Sequence, residues 1–393
     1  MFELSSQDFR AMTAFLQDLV RMPSLSTQEG EVAARLADEM RRVGIADVRV
    51  DRIGNVIGRV GAGRGKKLLL NGHMDTVGAG DLAAWRRDPF GAEVEDGVLY
   101  GRGAADMKGA LAAMVYAAKR LLEARASLSG DLYLVGVVQE EPCEGLAMQV
   151  VVEEGGLRPD WVVLCEPSDL QVRRGQRGRM EMQVTVEGKA CHASAPHLGE
   201  NAIYGAAQVI FGLELLAGQL ASDRLLGQGS LAVTQIESTA GSRNAVPDRC
   251  AFYIDRRLTL GETEAKALAE VQGVILREDL RARVEVTEYQ AMSYTGYQVC
   301  QRAYFPAWAM EEDHPLVQAM ARSVRKTLGY YPHIGQWAFS TDGVYTMGKA
   351  SIPTVGFGPG EERYAHTVEE QIRLEDVAAA ARVYAQLAVD LLG

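Results

Sequence analysis

Histidine and carboxylate side chains directly follow several apolar segments of the chain. They are His73 and Asp75 after KLLLN, Glu140 and Glu141 after DLYLVGVV, and Glu166 after WVVLC. Apolar runs of this length are typical of strands buried in a parallel sheet, and open α/β sheets place their sites at the carboxyl ends of such strands. Nitrogen and carboxylate ligands without cysteine suit a catalytic Zn²⁺ site, and Mn²⁺ or Co²⁺ would also fit. The pattern therefore indicates a metal centre at one edge of a sheet.

Two glycine-rich loops carry further side chains of the same kinds. Asp106 lies in GRGAADMKG, between the strand-like VLYG and a helix, and His366 follows the turn FGPG and precedes the last helix. A carboxylate has two oxygens and can bridge two cations ~3.5 to 4 Å apart. An Asp at a strand-to-helix turn can equally cap the helix. Each residue has such an ordinary explanation, but the set as a whole favours metal binding.

The spacing of two further acids from the predicted ligands suggests that these acids assist the metal centre without binding metal. The adjacent acids Glu140 and Glu141 can divide the chemistry, since one carboxylate can ligate a metal ion while its neighbour moves a proton. Asp75 lies two residues after His73, so in a strand both face the same side. We expect the Asp75 carboxylate to accept the second ring N–H of His73 and to fix the tautomer that leaves the other nitrogen free for metal. The alternative to metal binding is that His73 is an ordinary histidine at the end of a strand, with hydrogen bonds to its neighbours.

The surrounding elements predict an α/β fold. Two amphipathic helices open the chain, and a β/α alternation follows, which implies a mostly parallel mixed sheet with helices on both faces. From about Arg179 the order becomes β-α-β-β-α-β, that of a ferredoxin-like α+β domain. A helix near His314, the strand SIPTVGFG and a terminal helix then resume the first pattern. We predict a catalytic domain of residues 1–178 and 298–393, interrupted by an inserted domain of residues 179–297.

The composition of the chain is that of a globular protein that acts on a small molecule. The chain has 393 residues, of which 47% are hydrophobic and 24% charged, as in globular proteins long enough for two cores. A formal net charge of -11 goes against nucleic-acid binding and favours a small-molecule substrate. No apolar stretch reaches the ~18 residues of a membrane helix, and the first residues do not resemble a secretory signal. Five scattered cysteines without a C-x-x-C pair are expected to be reduced, so we predict a cytoplasmic protein that does not bind membranes.

Five motifs resemble, in order, those of the co-catalytic zinc aminoacylase family. They are GHMDTV, GRGAADMKG, QEEP, CEP and AHTVEE. The family includes acetylornithine deacetylase, succinyl-diaminopimelate desuccinylase, aminoacylase and the glutamate carboxypeptidases, and the resemblance covers essentially the whole chain. It implies a zinc-exopeptidase-like catalytic domain with an inserted lid domain that mediates dimerisation. Further stretches resemble the subgroup labelled selenium-metabolism hydrolases, a label that defines no substrate; they are RRGQRGRMEM, CHASAPHLGENAI, SRNAVPDRC, IDRRLTLGET and AFSTDGVYTMG.

The resemblance implies a role for each residue of a centre with two Zn²⁺ ions per chain. One ion would be held by His73 and Glu166, the other by Glu141 and His366, with Asp106 bridging the two. Asp75 would orient His73, and Glu140 would be the general base. The peptide bond after the bridging Asp is often cis in the family. Some relatives have Asp at the position of Glu166, which leaves specificity within the family open.

The resemblance also implies residues that contact the substrate. His192, in GKACHASAP, matches a histidine that reaches the partner subunit's site in a homodimer and stabilises the oxyanion. Asn244 and Arg257 match positions that bind the substrate's carboxylate, where a guanidinium gives bidentate recognition. Arg257 would otherwise be a surface strand residue paired with Asp255 or Asp248. The other expected substrate contacts are Gly358 and Gly360.

We expect this chain to hydrolyse an amide bond by metal-activated water, without a covalent intermediate, since no G-x-S-x-G motif occurs. The predicted substrate is an N-acyl amino acid or small peptide with a free carboxylate, cleaved by a deacylase or deacetylase. Two alternatives stay open: a dipeptidase or carboxypeptidase of the same family, and a metal-binding or partner-binding homologue without catalysis. The presence of Glu140 disfavours a homologue without catalysis, because a binding module has no evident use for a base beside the metal. The glycines of RVGAGRGKK lack the phosphate-binding spacing, so nucleotide binding is rejected.

Overall fold

The computed structural model describes residues 2–393. The helices are α1 (Ser6–Arg21), α2 (Gly30–Arg42), α3 (Gly109–Glu123), α4 (Leu146–Gln149), α5 (Ala202–Ala217), α6 (Glu264–Arg277), α7 (Pro315–Leu328), α8 (Gly343–Thr346) and α9 (Leu374–Leu392). Within residues 2–393, none of them combines the length and the apolar character that crossing a bilayer requires. Shorter helical turns lie at Leu82–Ala84, Ala104–Lys108, Val150–Glu154, Pro196–Leu198 and Glu362–Tyr364.

The strands differ widely in length, and the longest of them are β9, β12 and β13. In chain order they are β1 (Asp47–Val50), β2 (Val56–Val60), β3 (Lys67–His73), β4 (Glu93–Glu95), β5 (Val98–Tyr100), β6 (Asp131–Val137), β7 (Trp161–Leu164), β8 (Val172–Gln176), β9 (Gly178–Glu187), β10 (Ser222–Asp223), β11 (Gly227–Gln228), β12 (Ser230–Thr239), β13 (Arg249–Leu258), β14 (Ala282–Val286), β15 (Glu288–Met292), β16 (Gln298–Arg302), β17 (Tyr304–Phe305), β18 (Trp308–Ala309), β19 (Ile334–Trp337), β20 (Thr354–Gly356) and β21 (Gln371–Arg373).

The large sheet has the strand order β1-β2-β6-β3-β7-β20-β8-β18, and β19 also pairs with β8. Its centre is parallel, because β3 runs parallel to β6 and β7, and β7 to β20. The outer strands β1, β2 and β8 run antiparallel to their inner neighbours. The strand β6 is buried along its whole length, as expected for a strand covered on both faces. This mixed sheet with its packed helices confirms the predicted α/β class.

Small side chains bring the helix α3 close to this sheet. From Gly109 to Ala118 the helix is buried on every side and consists largely of alanine. Where it crosses β3, the sheet has Gly72, and a Cβ added there would lie 3.0 Å from Leu111 Cδ2. This close packing fixes the end of β3, which carries His73, relative to the start of α3, which follows Asp106.

A second, antiparallel sheet has the order β12-β13-β9-β14, and α5 and α6 pack against it. Burial alternates along β9, where Met180, Met182 and Val184 are buried and the residues between them are partly exposed. With the chain order β9-α5-β12-β13-α6-β14, this is the predicted ferredoxin-like arrangement. β12 forms one edge of the sheet.

The two sheets have separate cores, and the second core draws its buried side chains from Met180 to Val286. The hairpin of β15 and β16 packs on the core of the large sheet through Tyr289, Tyr294 and Tyr297. The expected boundary at residue 297 falls between the two strands of this hairpin. The limits of the inserted domain stay a prediction.

Candidate metal centre

Three neighbouring parallel strands bring predicted ligands to one edge of the large sheet. β3 ends at His73, Glu141 lies in the loop after β6, and Glu166 lies in the loop after β7. Asp106 enters from the helical turn before α3, and its peptide bond to Met107 is cis. His366 comes from the loop before β21. The sheet thus gathers at one place residues that are far apart in the sequence.

The carboxylate of Asp106 lies between the two histidines. Its Oδ1 is 3.0 Å from Nε2 of His73, and its Oδ2 is 3.2 Å from Nε2 of His366. Glu166 Oε2 is 3.9 Å from the same His73 nitrogen, and Glu141 Oε2 is 3.0 Å from the same His366 nitrogen. The ligand atoms of each set, one per residue, lie within 4.8 Å of one another. The structure therefore brings the five predicted ligands together in two sets that share Asp106.

The hydrogen bonding of His73 favours a cation at this place. Its Nδ1 lies 2.8 Å from the main-chain carbonyl oxygen of Asp75, which can only accept, so Nδ1 carries the proton. In the neutral form of the ring, Nε2 then presents a lone pair to the carboxylates of Asp106 and Glu166. Buried acceptors that face one another need a proton or a cation between them. Two sets of histidine nitrogen and carboxylate oxygen, with one carboxylate in common, fit a pair of divalent metal ions.

Burial, hydrogen bonds and neighbouring charges shift the pKa values in this cluster. Burial raises the pKa of Glu166 well above its usual range. Burial also raises the pKa of Glu140, and the charge of Glu166 adds to the rise. Hydrogen bonds to Asp106 and Glu141 raise the pKa of His366 to about 10. These shifts reflect a shortage of positive charge among buried carboxylates, which bound cations would supply.

The carboxylate of Asp75 lies elsewhere than the sequence suggested. Its Oδ1 is 3.7 Å from Nδ1 of His73, beyond hydrogen-bond distance, and the main-chain carbonyl of Asp75 makes that bond instead. β3 ends at His73, so the alternation of a strand does not extend to Asp75. The carboxylate accepts the N–H groups of Glu140 and Glu141 and the hydroxyl of Ser26. Burial raises the pKa of Asp75 to about 6.

A cleft of about 330 Å³ opens onto the metal centre. It is lined by Asp106, Glu140, Glu141, Glu144, Glu166, Arg179, Arg257, Phe339, Ser340, Glu362, Ala365 and His366. Glu140 is only 6% exposed, so a base there is largely shielded from bulk water. Arg257 reaches the cleft from β13 and also binds Asp255, with Nε 2.8 Å from Oδ1 and Nη2 3.2 Å from Oδ2. Arg257 thus lines the cleft and pairs with Asp255 at the same time.

His192 and Asn244 lie on the inserted domain, outside the cleft of their own chain. Both are exposed, and the main chain brings them together, because Ala193 N–H donates to the carbonyl of Asn244. Nδ1 of His192 accepts the N–H of Ser194 at 3.1 Å. The structure therefore separates Asn244 from Arg257, although both were expected to bind one carboxylate.

Gly358 and Gly360 do not line the cleft either. A Cβ at Gly358 would lie 2.3 Å from the carbonyl oxygen of Glu166, and one at Gly360 would lie 2.6 Å from that of Ala105. These positions accommodate close packing of the main chain behind the loops that carry Glu166 and Asp106. Their expected contact with substrate stays a prediction.

Glu370 supports Asp106 and was not identified from the sequence. Its Oε1 accepts the N–H groups of Ala105 and Asp106, both at 3.0 Å, and its Oε2 binds Arg102 at 2.6 Å. Burial raises the pKa of Glu370 to about 7, and the charge of Asp106 adds to the rise. Glu369 and Glu370 closely follow the predicted ligand His366 in AHTVEE, but nothing in that segment distinguishes Glu370 from an acid exposed to water.

Two other unexpected contacts hold the loop after Glu141. Asp342 accepts Asn71 Nδ2 and Gly145 N–H, both at 2.7 Å, and so ties this loop to β3. Arg179 of β9 binds Glu144 at 2.7 Å and so ties the loop to the inserted domain. Asp342 lies in AFSTDGVYTMG, so the resemblance marked its segment without indicating its role.

Comparison with known proteins agrees with this architecture. A sequence profile described as Peptidase family M20/M25/M40 matches residues 69–390. The uncharacterized protein YgeY of Escherichia coli (strain K12) is 41% identical over 388 residues, which cover 98% of this chain and 96% of YgeY. The M20 family metallo-carboxypeptidase Sso-CP2 of Sulfolobus solfataricus has a TM-score of 0.78 at 19% identity, over 98% of this chain and 99% of that one. The YXEP protein of Bacillus subtilis, a dinuclear metal-binding peptidase from the M20 family, has a TM-score of 0.72 at 18% identity, over 99% of both chains.

The structural matches show a shared fold, and the sequence matches show the family. The matched profile spans all of the predicted ligands, from His73 to His366. A binding protein without catalysis, one of the alternatives raised by the sequence, does not agree with membership of a family of metal-dependent peptidases. This chain belongs to the M20/M25/M40 peptidase family and is a metal-dependent hydrolase.

Proposed function

We propose that this protein is a dinuclear zinc hydrolase that cleaves the amide bond of an N-acyl amino acid with a free carboxylate. The observation that carries the proposal is the position of Glu140, which lines one cleft with the shared ligand Asp106 and with Arg257. A proton acceptor, a pair of metal ions and an anion-binding group are the parts needed to hydrolyse an amide beside a carboxylate. Zinc is proposed from the donor atoms, and Co²⁺ and Mn²⁺ are compatible with them.

Metal ions bound to the two sets would polarise the amide carbonyl and lower the pKa of water. The chain itself supplies proton transfer and orientation. Glu140 takes a proton from the attacking water and returns it to the nitrogen of the leaving amine. Asp75 fixes the main chain of the base, because its Oδ1 accepts the Glu140 N–H at 3.1 Å. Arg257 binds the substrate carboxylate through the N–H groups that Asp255 leaves free, two on Nη1 and one on Nη2.

A homodimer formed through the inserted domain is part of the proposal, with His192 of each chain stabilising the oxyanion in its partner's cleft. Support comes from His192 and Asn244, which are exposed and absent from the lining of their own cleft. The edge strand β12 lies against α5, which exposes Tyr204, Phe211 and Leu215 by 71%, 67% and 73%. A free strand edge beside apolar surface is well suited to two-fold pairing.

Cleavage of a dipeptide, or of the last residue of a peptide, is the second candidate. It is favoured by the similarity in fold to a metallo-carboxypeptidase and to a dinuclear peptidase. Arg257 would bind a C-terminal carboxylate in the same way, so the candidates differ only in the acyl group that supplies the carbonyl of the cleaved bond. Membership of the selenium-metabolism subgroup is also proposed and names no substrate. A cytoplasmic location is proposed because the five cysteines are unpaired, as expected in a reducing compartment.

Metal analysis followed by hydrolysis assays tests the proposal. Wild type and Glu140→Gln are assayed on N-acetyl amino acids, N-succinyl amino acids and dipeptides, with the C-terminal amides of each as controls. Both proteins should hold two zinc ions per chain, and the variant should turn over roughly 10² to 10⁴ times more slowly, the usual contribution of a general base. Preference for the N-acyl compounds would support deacylation, and preference for dipeptides the second candidate. Two zinc ions without turnover of any amide would overturn both.

A further inference from the structure

Side chains, not a strand, hold the segment that carries the proposed base. β6 ends at Val137, and the next N–H groups donate to buried acceptors. In order, Val138 donates to Asn55 Oδ1 at 3.1 Å, Gln139 to Glu29 Oε1 at 3.1 Å, Glu140 to Asp75 Oδ1 at 3.1 Å and Glu141 to Asp75 Oδ2 at 3.2 Å. The position of Glu140 therefore depends on three side chains that come from other parts of the fold.

Glu29 accepts the N–H of Gln139, the residue directly before the proposed base. It is fully buried just before α2, and its Oε1 also accepts the N–H of Thr27 at 2.9 Å. Burial raises the pKa of Glu29 to about 7, and the charge of Asp75 adds to the rise. The contact with Gln139 thus needs an acceptor oxygen rather than a full negative charge, and an amide oxygen would serve in its place.

Gln139 is held from a second side by the hairpin of β15 and β16. Its φ of 53° is in the left-handed region, which a residue other than glycine adopts only where its surroundings impose it. Its Oε1 accepts the hydroxyl of Tyr289, on β15, at 2.8 Å. Glu29 therefore binds the main chain of Gln139, and Tyr289 binds its side chain.

We propose that Glu29 and Tyr289 are positioning residues for the general base Glu140, an inference that rests on the proposed function. Neither lines the cleft, so both act through Gln139. Loss of either contact lets the left-handed turn relax and moves the carboxylate of Glu140. Proton transfer then slows, while substrate binding by Arg257 and the metal ligands are unaffected.

Each test variant has a matched control in the same region of the fold. Glu29→Ala and Glu29→Gln are compared with Glu39→Ala, because Glu39 of α2 is also fully buried but binds Arg35 and Arg42. Tyr289→Phe is compared with Tyr294→Phe, which removes another hydroxyl that joins this hairpin to the catalytic domain, at the carbonyl of Gly54. The measurements are kcat and KM, zinc content, thermal stability, and hydrogen exchange of the amides of residues 139–141 in metal-free protein.

We expect kcat to fall roughly 10- to 100-fold in Glu29→Ala and in Tyr289→Phe, the loss typical of a small misplacement of a catalytic group. KM and zinc content should stay unchanged. Glu29→Gln should keep kcat, because its amide oxygen can accept the Gln139 N–H. Glu39→Ala should lose stability but not kcat, and Tyr294→Phe should keep kcat. Amides 139–141 should exchange faster in Glu29→Ala than in Glu39→Ala.

Several outcomes would overturn the inference. Wild-type kcat in Tyr289→Phe, or an equal loss of kcat in Glu39→Ala, would show that these residues only stabilise the fold. If the amides of residues 139–141 exchange at the wild-type rate in Glu29→Ala, Glu29 does not hold this segment. If Glu29→Ala does not fold, Tyr289→Phe decides the matter by its kcat and its exchange. If the wild type cleaves no amide, the proposed function fails, and amide exchange still decides whether Glu29 and Tyr289 hold this segment.

Discussion

Replacing Arg257 with alanine should raise the KM for a carboxylate substrate about tenfold and leave the KM for its C-terminal amide nearly unchanged. Asp255 accepts one N–H from Nε at 2.8 Å and one from Nη2 at 3.2 Å, which leaves the substrate both N–H groups of Nη1 and the second N–H of Nη2. A hydrogen bond to a charged group contributes about 1.5 to 3 kcal/mol, and about 1.4 kcal/mol corresponds to a tenfold change in affinity. The side chain of Arg257 is 31% exposed, so screening by water favours the lower end of that range.

The assay compares an N-acetyl amino acid with its amide in wild type, Arg257→Ala and Arg257→Lys. Lysine keeps the charge without the planar fork and should give an intermediate KM for the carboxylate. Asp255→Asn serves as a further control, since a weaker competing acceptor should leave the KM unchanged or lower it. Equal increases in KM for both substrates would refute the reasoning and leave Arg257 only as the partner of Asp255.

Three further predictions concern the metal ions and the subunits. Asp106→Ala should lose metal from both sets, because they share its carboxylate, and zinc analysis that still finds two ions per chain would contradict the bridging role. Chelation should abolish hydrolysis in the same assay and added Zn²⁺ should restore it; activity that survives complete chelation would go against metal-assisted chemistry. His192→Ala and Glu140→Ala, refolded together in equal amounts, should recover about a quarter of wild-type activity, since half of the dimers are mixed and each has one intact site. No recovery would exclude action of His192 across the subunit interface.

The grouping of the ligands was predictable because it depends on a general property of parallel sheets. The runs that became β3, β6 and β7 are apolar and are followed by polar side chains, and the carboxyl ends of adjacent parallel strands must lie close together. His73, Glu141 and Glu166 therefore belonged together before any distance was known. The ferredoxin-like unit was predictable for a similar reason, since its order of elements is visible in the pattern of apolar residues.

Contacts between distant parts of the chain were not predictable in this way. Glu29 and Gln139 are 110 residues apart, and Glu370 and Asp106 are 264 apart. A buried acid that accepts main-chain N–H groups has no local signature that separates it from an acid in water. The prediction for Asp75 failed although it lies only two residues from His73. Alternation of side chains holds only within a strand, and β3 ends at His73.

The place of β20 in the large sheet has a consequence for the synthesis of the chain. β20 lies between β7 and β8, so these earlier strands cannot close their sheet until the chain has been made as far as Gly356. The core of the inserted domain comes from one continuous stretch, Met180 to Val286, so it can form while the rest of the chain is being synthesised. At about 5 to 20 residues per second, the roughly 190 residues from the end of β7 at Leu164 to the end of β20 at Gly356 take about 10 to 40 s. During that interval the edge of β7 has no partner strand on the nascent chain. The catalytic domain is therefore the first to begin folding and the last to be completed.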